Sequence, residues 1–457
     1  MSSNANAFRL AFFTALIYFS ALTIGLPLLY YLSYVLFGVL VAAFLWSQLN
    51  KRGLQVRRQV KPPQAQVGQH IVETIELRNL SWLRKLWLEV RDRSTLPGHR
   101  VGAVVTLPGR ASKRWQVRTR CVRRGLYRLG PTVIHTGDPF GLFQSSRVFE
   151  STSELLVYPP TVPLESFGLP PTDLPGGTST QRRAFQSTPN AAGIRDYLPG
   201  DPMNKIHWPV SARMQKLMVK EFEIDPTADI WLVLDLDRSV HVALSSSEAR
   251  DGRPAAPDGR SRTTGGAMLR SGLSGSWVVE RKAEDSASTR LTIEPSTEEY
   301  GVVATASLAA HFIEQGRSVG LIAWGQHKVT LPADRGGRQL VKILRALAVL
   351  RAGGTTSLAE VLTAESRLFA RQDTIVVVTP SVDELWVRAL QTQTYKGVAA
   401  VAVLIEPATF GGVGNSLMVV SALSAFEVPT YLIKRDDSID LSLSRQYSGT
   451  AALKTMR

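Results

Sequence analysis

The chain has 457 residues, enough for two or three domains with separate cores, and its formal net charge is +15. That charge is concentrated: residues 51–128 hold nineteen Lys/Arg against four Asp/Glu, so the basicity says nothing about the larger C-terminal part. Cys121 is the single cysteine, which excludes a disulfide framework and a cysteine-based zinc site and fits a reducing compartment.

An uncharged stretch runs from Leu10 to Asn50. As one straight helix it would exceed roughly 60 Å, about twice the thickness of a bilayer's hydrocarbon core. Gly25-Leu26-Pro27 interrupts it near the middle. Residues 1–50 are therefore predicted to form a transmembrane helical hairpin, with spans at about 9–25 and 27–46. A cleaved signal peptide is not favoured, because the apolar run is too long and shows no convincing small-residue cleavage site.

Five cations follow the second predicted span with no acid among them: Lys51, Arg52, Arg57, Arg58 and Lys61. The positive-inside rule then places the chain after residue 50 in the cytoplasm, with both termini on that side. The expected location is the plasma (inner) membrane, as a multi-pass protein whose soluble domains face the cytoplasm. The same cations suit contact with anionic headgroups.

Residues 51–165 are predicted to form a basic, all-β sandwich. Side chains alternate between apolar and polar along residues 86–91 and 115–121, the pattern of a sheet packed on one side. Evenly spaced Pro-Gly and Gly-Pro turns are typical of a small immunoglobulin-like sandwich. The fourteen cations between Arg78 and Arg128 face two acids, which indicates solvated strand faces near an anionic membrane or an acidic partner. Nucleic acid is not favoured, because no interleaved aromatic platform accompanies the charge.

Residues 166–228 are predicted to comprise a linker rich in Pro, Gly, Thr and Ser, followed by a dense segment from Gly193 to Glu223. Pro199-Gly200 there suits the two central positions of a tight turn. Around it lie five cations, four anions and three aromatic residues, too structured a mixture for a linker. Two interpretations remain open. One is a structural clasp of ion pairs and aromatics that joins two domains through Arg195, Asp201 and Trp208, in which truncating Trp208 would cost about 3–5 kcal/mol as a buried aromatic. The other is a ligand or partner site.

The segment resembles the signature of the domain-of-unknown-function 58 (DUF58) family of bacteria and archaea, in which Arg-x-Tyr-x-Pro-Gly-Asp is followed by Ile-His-Trp and Ser-Ala-Arg. The matching residues are Arg195, Tyr197, Pro199, Gly200, Asp201, Ile206, His207, Trp208, Ser211, Ala212 and Arg213. The resemblance implies a family architecture and no particular activity. Members of the family are commonly associated with MoxR-type AAA+ ATPases in assembly or chaperone systems, so the resemblance implies such an ATPase as a partner.

Residues 229–457 are predicted to form an α/β domain. Apolar strands are expected at 229–235, 319–324, 374–379, 398–405 and 430–433, with helices between them. Alternating strands and helices indicate crossover units and an open, mostly parallel sheet. Residues 240–297 lack periodicity and are interpreted as a disordered insertion.

Polar side chains follow the first of these strands, and open parallel sheets bind ligands beyond the carboxyl ends of their strands. Asp235, Asp237, Ser239 and Thr355 resemble by position the metal-ion-dependent adhesion site of von Willebrand factor A domains. There an Asp-x-Ser-x-Ser loop, a Thr and a second Asp hold a divalent cation, so the resemblance makes Mg²⁺ or Mn²⁺ the candidate cofactor. Two departures count against binding: Asp237 replaces a Ser, and Pro380 stands where the second Asp is expected. A degenerate site used only for capping and packing is the other interpretation.

No other catalytic constellation is complete in the sequence. There is no Gly-Lys dipeptide for a phosphate-binding loop, and the seven histidines never show the His-Glu-x-x-His spacing of a metalloprotease. By its resemblance, the chain is expected to be a non-enzymatic, membrane-anchored cytoplasmic adaptor or scaffold that presents partners or substrates to a MoxR-type AAA+ ATPase through a von Willebrand A-like domain. The alternatives are a metal-dependent hydrolase at Asp235 and Asp237, and nucleic-acid or anionic-membrane binding by the basic β region.

Overall fold

The computed structural model describes residues 5–168, 191–197, 206–222, 228–243 and 293–447. The chain divides into two compact units. Unit 1 comprises Met1–Val162, Ala243–Ser307 and Val341–Arg351; unit 2 comprises Pro163–Val242, Leu308–Leu340 and Ala352–Arg457. The break after Val162 lies close to the predicted boundary at residue 165. The later segments of unit 1 belong to the stretch that the sequence predicts as the C-terminal domain.

Unit 1 begins with two apolar helices, α1 (Ala5–Ile24) and α2 (Pro27–Asn50). Gly25, with a φ of +73°, follows the first helix, and Pro27 opens the second. Glycine tolerates the left-handed backbone and proline tolerates the first helical turn, so this tripeptide separates two helices efficiently. Both helices are long and apolar enough, by length and composition, to cross a membrane. The predicted helical hairpin is confirmed, with each helix somewhat longer than its predicted span.

The chain from Leu54 to Tyr158 forms three sheets. Its strands are β1 (Leu54–Lys61), β2 (Gln64–Gln66), β3 (His70–Asn79), β4 (Lys85–Asp92), β5 (Ala103–Leu107), β6 (Ser112–Arg120), β7 (Gly125–Leu129), β8 (Thr132–Gly137), β9 (Gln144–Phe149) and β10 (Ser153–Tyr158). The sheets have the orders β1-β3-β6, β2-β10-β7 and β5-β4-β8-β9, and only β2 and β10 pair in parallel. Alternate residues of β3 are buried, as a sheet packed on one side requires. The predicted all-β character of this region is confirmed.

The outer face of the β1-β3-β6 sheet gathers positive charge. Its exposed cations are Arg57, Lys61, Arg78, Arg114, Arg118 and Arg120. Glu76 lies opposite Arg57 and Arg114 on this face and forms an ion pair with Arg114 at 3.2 Å. Six of the nineteen Lys/Arg of residues 51–128 therefore lie on one solvated strand surface.

Arg124, fully buried before β7, holds two helices of the later chain: α4 (Thr297–Glu314) and α5 (Gly337–Val349). Its Nη1 donates to the carbonyl oxygens of Leu347 and Leu350, at 2.8 and 2.7 Å. Its Nε donates to Glu299 in the first turn of α4 at 2.9 Å. The last carbonyls of a helix have no partner within the helix, so this guanidinium caps α5.

Unit 2 contains the dense segment as a small antiparallel pair. Strands β11 (Ala191–Asp196) and β12 (Met218–Phe222) pair with one another, and α3 (Trp208–Met214) lies between them in the chain. Pro199, Gly200 and Asp201, the predicted turn, lie outside the described residues.

The main body of unit 2 is a six-stranded sheet. Its strands are β13 (Ile230–Leu234), β14 (Val319–Trp324), β15 (Lys328–Asp334), β16 (Thr374–Thr379), β17 (Ala399–Ile405) and β18 (Thr430–Ile433). Their order is β15-β14-β13-β16-β17-β18, with β15 antiparallel at one edge and all other pairs parallel. The later helices are α6 (Leu358–Ala364), α7 (Leu385–Tyr395), α8 (Leu417–Ala425) and α9 (Ile439–Ser444).

Counted from β13, this order is 3-2-1-4-5-6, that of a doubly wound sheet. β13, β14 and β16 are buried along their whole length. The predicted open, mostly parallel sheet is confirmed. β15 was not predicted, because its residues alternate between partial and full exposure and include Pro332, which suits an edge strand.

The predicted insertion at 240–297 lies mostly outside the described residues, which stop at Ala243 and resume at residue 293. Its described ends meet, because Ala243 and Ser296 form an antiparallel bridge. The intervening residues therefore leave and re-enter the described structure at one place.

Candidate functional site

The candidate site lies where β13 ends beside β16. In the doubly wound sheet the chain passes from β13 to β14 on one side, and β16 lies on the other. Such a change of direction opens a crevice beyond the carboxyl ends of the two central strands, where ligands of open α/β sheets bind. We call this place the switch-point crevice; Asp235 and Asp237 follow β13 into it, and Thr379 is the last residue of β16.

Asp235 is the innermost carboxylate of the crevice, 4% exposed. Its Oδ1 accepts a hydrogen bond from the backbone N–H of Asp237 at 3.0 Å, and its Oδ2 accepts one from the Thr379 hydroxyl at 2.6 Å. Burial raises the pKa of Asp235, because a desolvated carboxylate is costly, while the hydrogen bond from Thr379 acts in the opposite direction. Both oxygens of the carboxylate are thus engaged.

The loop after Asp235 turns outward and is held by a neighbouring loop. Asp237 Oδ1 accepts from the backbone N–H of Ser239 at 3.0 Å, and Ser239 is exposed. Asp237 forms a parallel bridge with Gly354, whose backbone N–H donates to Leu236 at 3.0 Å. A Cβ on Gly354 would lie 2.5 Å from the carbonyl oxygen of Trp324, so only glycine fits this approach.

Thr355, the fourth predicted residue, follows Gly354 into solvent. Among the hydrogen bonds of the described residues, none joins its hydroxyl to Asp235 or Asp237. The structure therefore brings Asp235 and Asp237 into direct contact and orders Ser239 through Asp237, while Thr355 is near them only through the loop that carries it. Whether the four residues bind a cation stays a prediction.

Sequence reasoning missed Thr379 and Ser381. The Thr379 hydroxyl accepts from the backbone N–H of Ser381 at 2.9 Å while it donates to Asp235, so the Thr-Pro-Ser turn after β16 closes over the carboxylate. His241 also reaches the crevice, with Nε2 2.9 Å from the carbonyl oxygen of Asp235. The signal in the sequence that could have identified Thr379 was its position, as a polar residue at the end of an apolar strand. Pro380 has no ligand atom in its side chain. The hydroxyl of Thr379, the residue before it, hydrogen-bonds directly to Asp235.

The signature residues around α3 have mixed roles. Ile206 is buried and bridges Val219, and the Ser211 hydroxyl is buried and accepts from the backbone N–H of Met218 at 2.8 Å. His207 caps α3, since its Nδ1 accepts from the backbone N–H of Val210 at 3.3 Å. These contacts tie α3 to β12 within unit 2.

Trp208 is a correction to the clasp hypothesis, because its side chain is 62% exposed. The expected cost of a buried aromatic truncation does not apply to it. Ala212 and Arg213 are exposed as well. The signature therefore combines a buried half, which packs, with an exposed half that is available for contact.

A buried ionic cluster in unit 1 was not predicted at all. Arg58 Nε lies 3.0 Å from Glu73, its Nη2 contacts Asp92, and His99 Nε2 lies 2.6 Å from Glu73; all four side chains are at most 2% exposed. The approaches to Glu73 are close contacts that are not aligned as hydrogen bonds. One ligand atom from each of Glu73, Asp92 and His99 lies within 4.8 Å of the others, a spacing that suits a metal. Arg58 already contacts both carboxylates, so a guanidinium supplies their positive partner.

Comparison with known proteins identifies the family. Residues 193–252 and 278–408 match the family described as "Protein of unknown function DUF58". These residues include the dense segment and most of the six-stranded sheet. This part of the chain therefore belongs to the DUF58 family, as the signature residues predict.

One curated relative is the uncharacterized protein YeaD of Bacillus subtilis (strain 168), 27% identical over 240 residues, which are 50% of this chain and 58% of YeaD. The match thus spans little more than half of that protein's length. Among solved structures, the hypothetical protein BatB of Bacteroides thetaiotaomicron is 12% identical over 50% of this chain and 99% of BatB, with a TM-score of 0.28. The CARDB domain of PF1109 from Pyrococcus furiosus, solved with di-metal ions, is 17% identical over 23% of this chain and 91% of that domain, with a TM-score of 0.19. TM-scores this low establish no shared fold.

Proposed function

We propose that this protein is a membrane-anchored accessory protein, an adaptor or scaffold that presents partners or substrates to a MoxR-type AAA+ ATPase. The observation that carries the proposal is the joining, in one chain, of two apolar helices to a doubly wound sheet whose switch-point crevice is closed by Thr379 and offers no complete catalytic set. The match of residues 193–252 and 278–408 to the DUF58 family adds support.

Two finer assignments of fold belong to this proposal. The six-stranded sheet is von Willebrand A-like; its strand order, its antiparallel edge strand and the Asp-x-Asp-x-Ser loop after β13 support this. The β region of unit 1 is an immunoglobulin-like sandwich, which the antiparallel pairing of its strands supports. The crevice then serves as a contact surface for another protein.

The orientation in the membrane is likewise proposed. The five cations after α2 favour a cytoplasmic position for everything after residue 50, where an ATPase and its nucleotide are available. The geometry of the crevice supports a non-enzymatic role: its two carboxylates accept hydrogen bonds from backbone N–H groups and a hydroxyl, and the imidazole of His241 contacts the carbonyl oxygen of Asp235.

The test is affinity purification of the tagged full-length protein from detergent-solubilised membranes, with and without ATP. We expect a AAA+ ATPase to co-purify in a nucleotide-dependent manner. Asp235→Asn, which keeps the shape of the side chain, reports whether the crevice takes part, and Asp437→Asn, at an exposed position before α9, is the matched control. Absence of any ATPase under both nucleotide conditions would overturn the proposed partner.

The crevice is expected not to depend on a divalent cation. Because Pro380 replaces a carboxylate ligand, millimolar Mg²⁺ or Mn²⁺ should leave the melting temperature of the solubilised protein unchanged. An increase that Asp235→Ala abolishes would contradict this and restore the adhesion-type metal site, with Asp237 and Ser239 as its further ligands.

A second candidate function is favoured by the basic face of the β1-β3-β6 sheet. Six exposed cations around one acid suit an anionic surface, either acidic protein or lipid headgroups. Binding of this kind weakens as salt rises. The double variant Arg118→Glu with Arg120→Glu should lower the amount of partner captured at low salt, because it reverses two of the six charges. The amount captured should stay the same if the partner is held by apolar contacts instead.

A further inference from the structure

The end of α2 is fixed to the sheet β5-β4-β8-β9 within unit 1. The Lys85 side chain donates to the carbonyl oxygen of Leu49, and Asn50 Nδ2 donates to the carbonyl oxygen of Leu86 at 2.9 Å. The backbone N–H of Leu80 donates to Gly53 at 2.7 Å. The loop and strand over residues 80–87 therefore lie against the last turn of the helix and the residues that follow it.

The loop between β8 and β9 reaches further along the same helix. The ring of Phe143 lies edge-on to the ring of Phe44, with centroids 5.6 Å apart. Phe44 is six residues before the end of α2, about 9 Å along the helix axis. Phe143 also lines an apolar groove with Ala7 and Phe8 of α1. If α2 spans a bilayer, this loop is at the depth of its boundary.

Large apolar side chains project outward from these same two segments. Leu80, Trp82, Trp87 and Phe140 are 55%, 77%, 61% and 63% exposed. Trp87 adopts a φ of +48°, rare for an aromatic residue, at a shift of register between β4 and β5, and this turns its indole away from the core. Arg84, also exposed, lies between the two tryptophans in sequence.

We propose that these four residues, Leu80, Trp82, Trp87 and Phe140, form an interfacial collar that enters the headgroup region of the bilayer around the end of α2. The inference rests on the proposed membrane anchoring. Tryptophan favours this region, since its amphipathic ring is best placed where apolar and wet surroundings meet. Leu80 and Phe140 add apolar surface of the kind that enters the boundary between headgroups and acyl chains. Continuity with the apolar helices selects lipid as the occupant, and Arg84 and Arg52 suit anionic headgroups. The β region of unit 1 then contacts the bilayer surface directly and is not held away from it.

Spin labels in full-length protein reconstituted into phosphatidylcholine–phosphatidylglycerol vesicles test the collar. The variants are Trp82→Cys, Trp87→Cys and Phe140→Cys, read by the accessibility of each label to oxygen, which enriches in lipid, and to a nickel chelate, which stays in water. Cys121 can remain, because it is fully buried and burial raises its pKa to about 11, which suppresses thiolate labelling. Unmutated protein measures any residual reaction.

Two positions calibrate the measurement. Phe37→Cys, exposed in the middle of α2, is the lipid reference. Leu126→Cys on β7 is the water reference, because β1 carries the chain roughly 25 Å away from α2 before the β2-β10-β7 sheet begins. We expect the collar labels to favour oxygen over the chelate, between the two references.

Collar labels that match the Leu126 reference, or that are shielded from both reagents as in a protein contact, overturn the collar while leaving membrane anchoring intact. A Phe37 label accessible to the chelate overturns the anchoring itself. Should a cysteine variant fail to fold, quenching of tryptophan fluorescence by brominated lipid gives a second readout. Trp82→Phe with Trp87→Phe should lower the quenched fraction, whereas Trp208→Phe, which removes an exposed tryptophan of unit 2, should not lower it.

Discussion

At the scale of single residues, Arg58 is the residue on which the buried ionic cluster depends. It contacts both Glu73 and Asp92, and no water-exposed surface is left to solvate either carboxylate. Arg58→Met should therefore lower the free energy of unfolding by about 3–5 kcal/mol, the usual cost of leaving a buried charge without its partner. Denaturant unfolding of the solubilised protein measures it.

Arg57→Met is the matched control for this change. Arg57 is the neighbouring residue on the opposite, exposed face of β1, so the same loss of charge should cost no more than about 0.5 kcal/mol. Equal effects at the two positions would show that the cluster contributes nothing specific.

The raised pKa of Asp235 predicts how stability depends on pH. Because the folded state binds this proton more readily than the unfolded chain, the contribution of Asp235 is fully present below the unfolded pKa of about 4 and is lost as pH rises through the folded pKa. Relative to Asp235→Asn, the wild-type protein should become less stable as pH rises from about 4 toward neutrality. Thermal unfolding across this range tests the trend.

The control here is Asp383→Asn, an exposed position that changes the net charge by the same amount. If the wild-type protein became more stable relative to Asp235→Asn as pH rises, the pKa of Asp235 would be lowered and not raised. Burial would then not be the dominant influence on this carboxyl.

At the scale of elements, the α3 segment contains some residues that pack in the interior and others that are exposed for contact with a partner. Ile206→Ala should cost about 2–5 kcal/mol, because it empties a buried site beside β12. Trp208→Ala should change the free energy of unfolding by less than about 1 kcal/mol, since most of the indole is already in water. Loss of a captured partner in Trp208→Ala at unchanged stability would identify the exposed half of the signature as a contact surface; a large loss of stability would return the clasp hypothesis to favour.

The burial of an element also explains whether it could be predicted from the sequence. β13, β14 and β16 are continuous apolar runs because both faces of a parallel sheet are covered, and such runs are visible in the sequence. The position of Asp235 at the end of β13 could be predicted from the apolar run that forms this strand. Thr379 was missed because its role depends on the pairing of β16 with β13, which brings together residues far apart in the chain. The cluster of Arg58, Glu73, Asp92 and His99 has the same origin, since strand alternation alone assigns charged residues to the wet face.

At the scale of the whole molecule, the two apolar helices predict a defined topology. A reporter fused after residue 457 should be active in the cytoplasm, and protease added outside intact cells should not reach the chain after residue 50, because the cations after α2 resist translocation. A periplasmic reporter signal would overturn the orientation and remove the proposed ATPase partner from reach.

The Ala243–Ser296 bridge has a consequence for how this architecture tolerates changes of length. The two ends of the 244–292 stretch are already held together, so the chain between them only closes a ring. Ring closure costs entropy that grows with the logarithm of the number of residues, and cutting the stretch to a short turn would recover only about 2 kcal/mol. The match to the DUF58 family also skips residues 253–277. We therefore expect an inserted peptide tag within that stretch to leave β13 and α4 folded, which thermal unfolding of the tagged protein would measure.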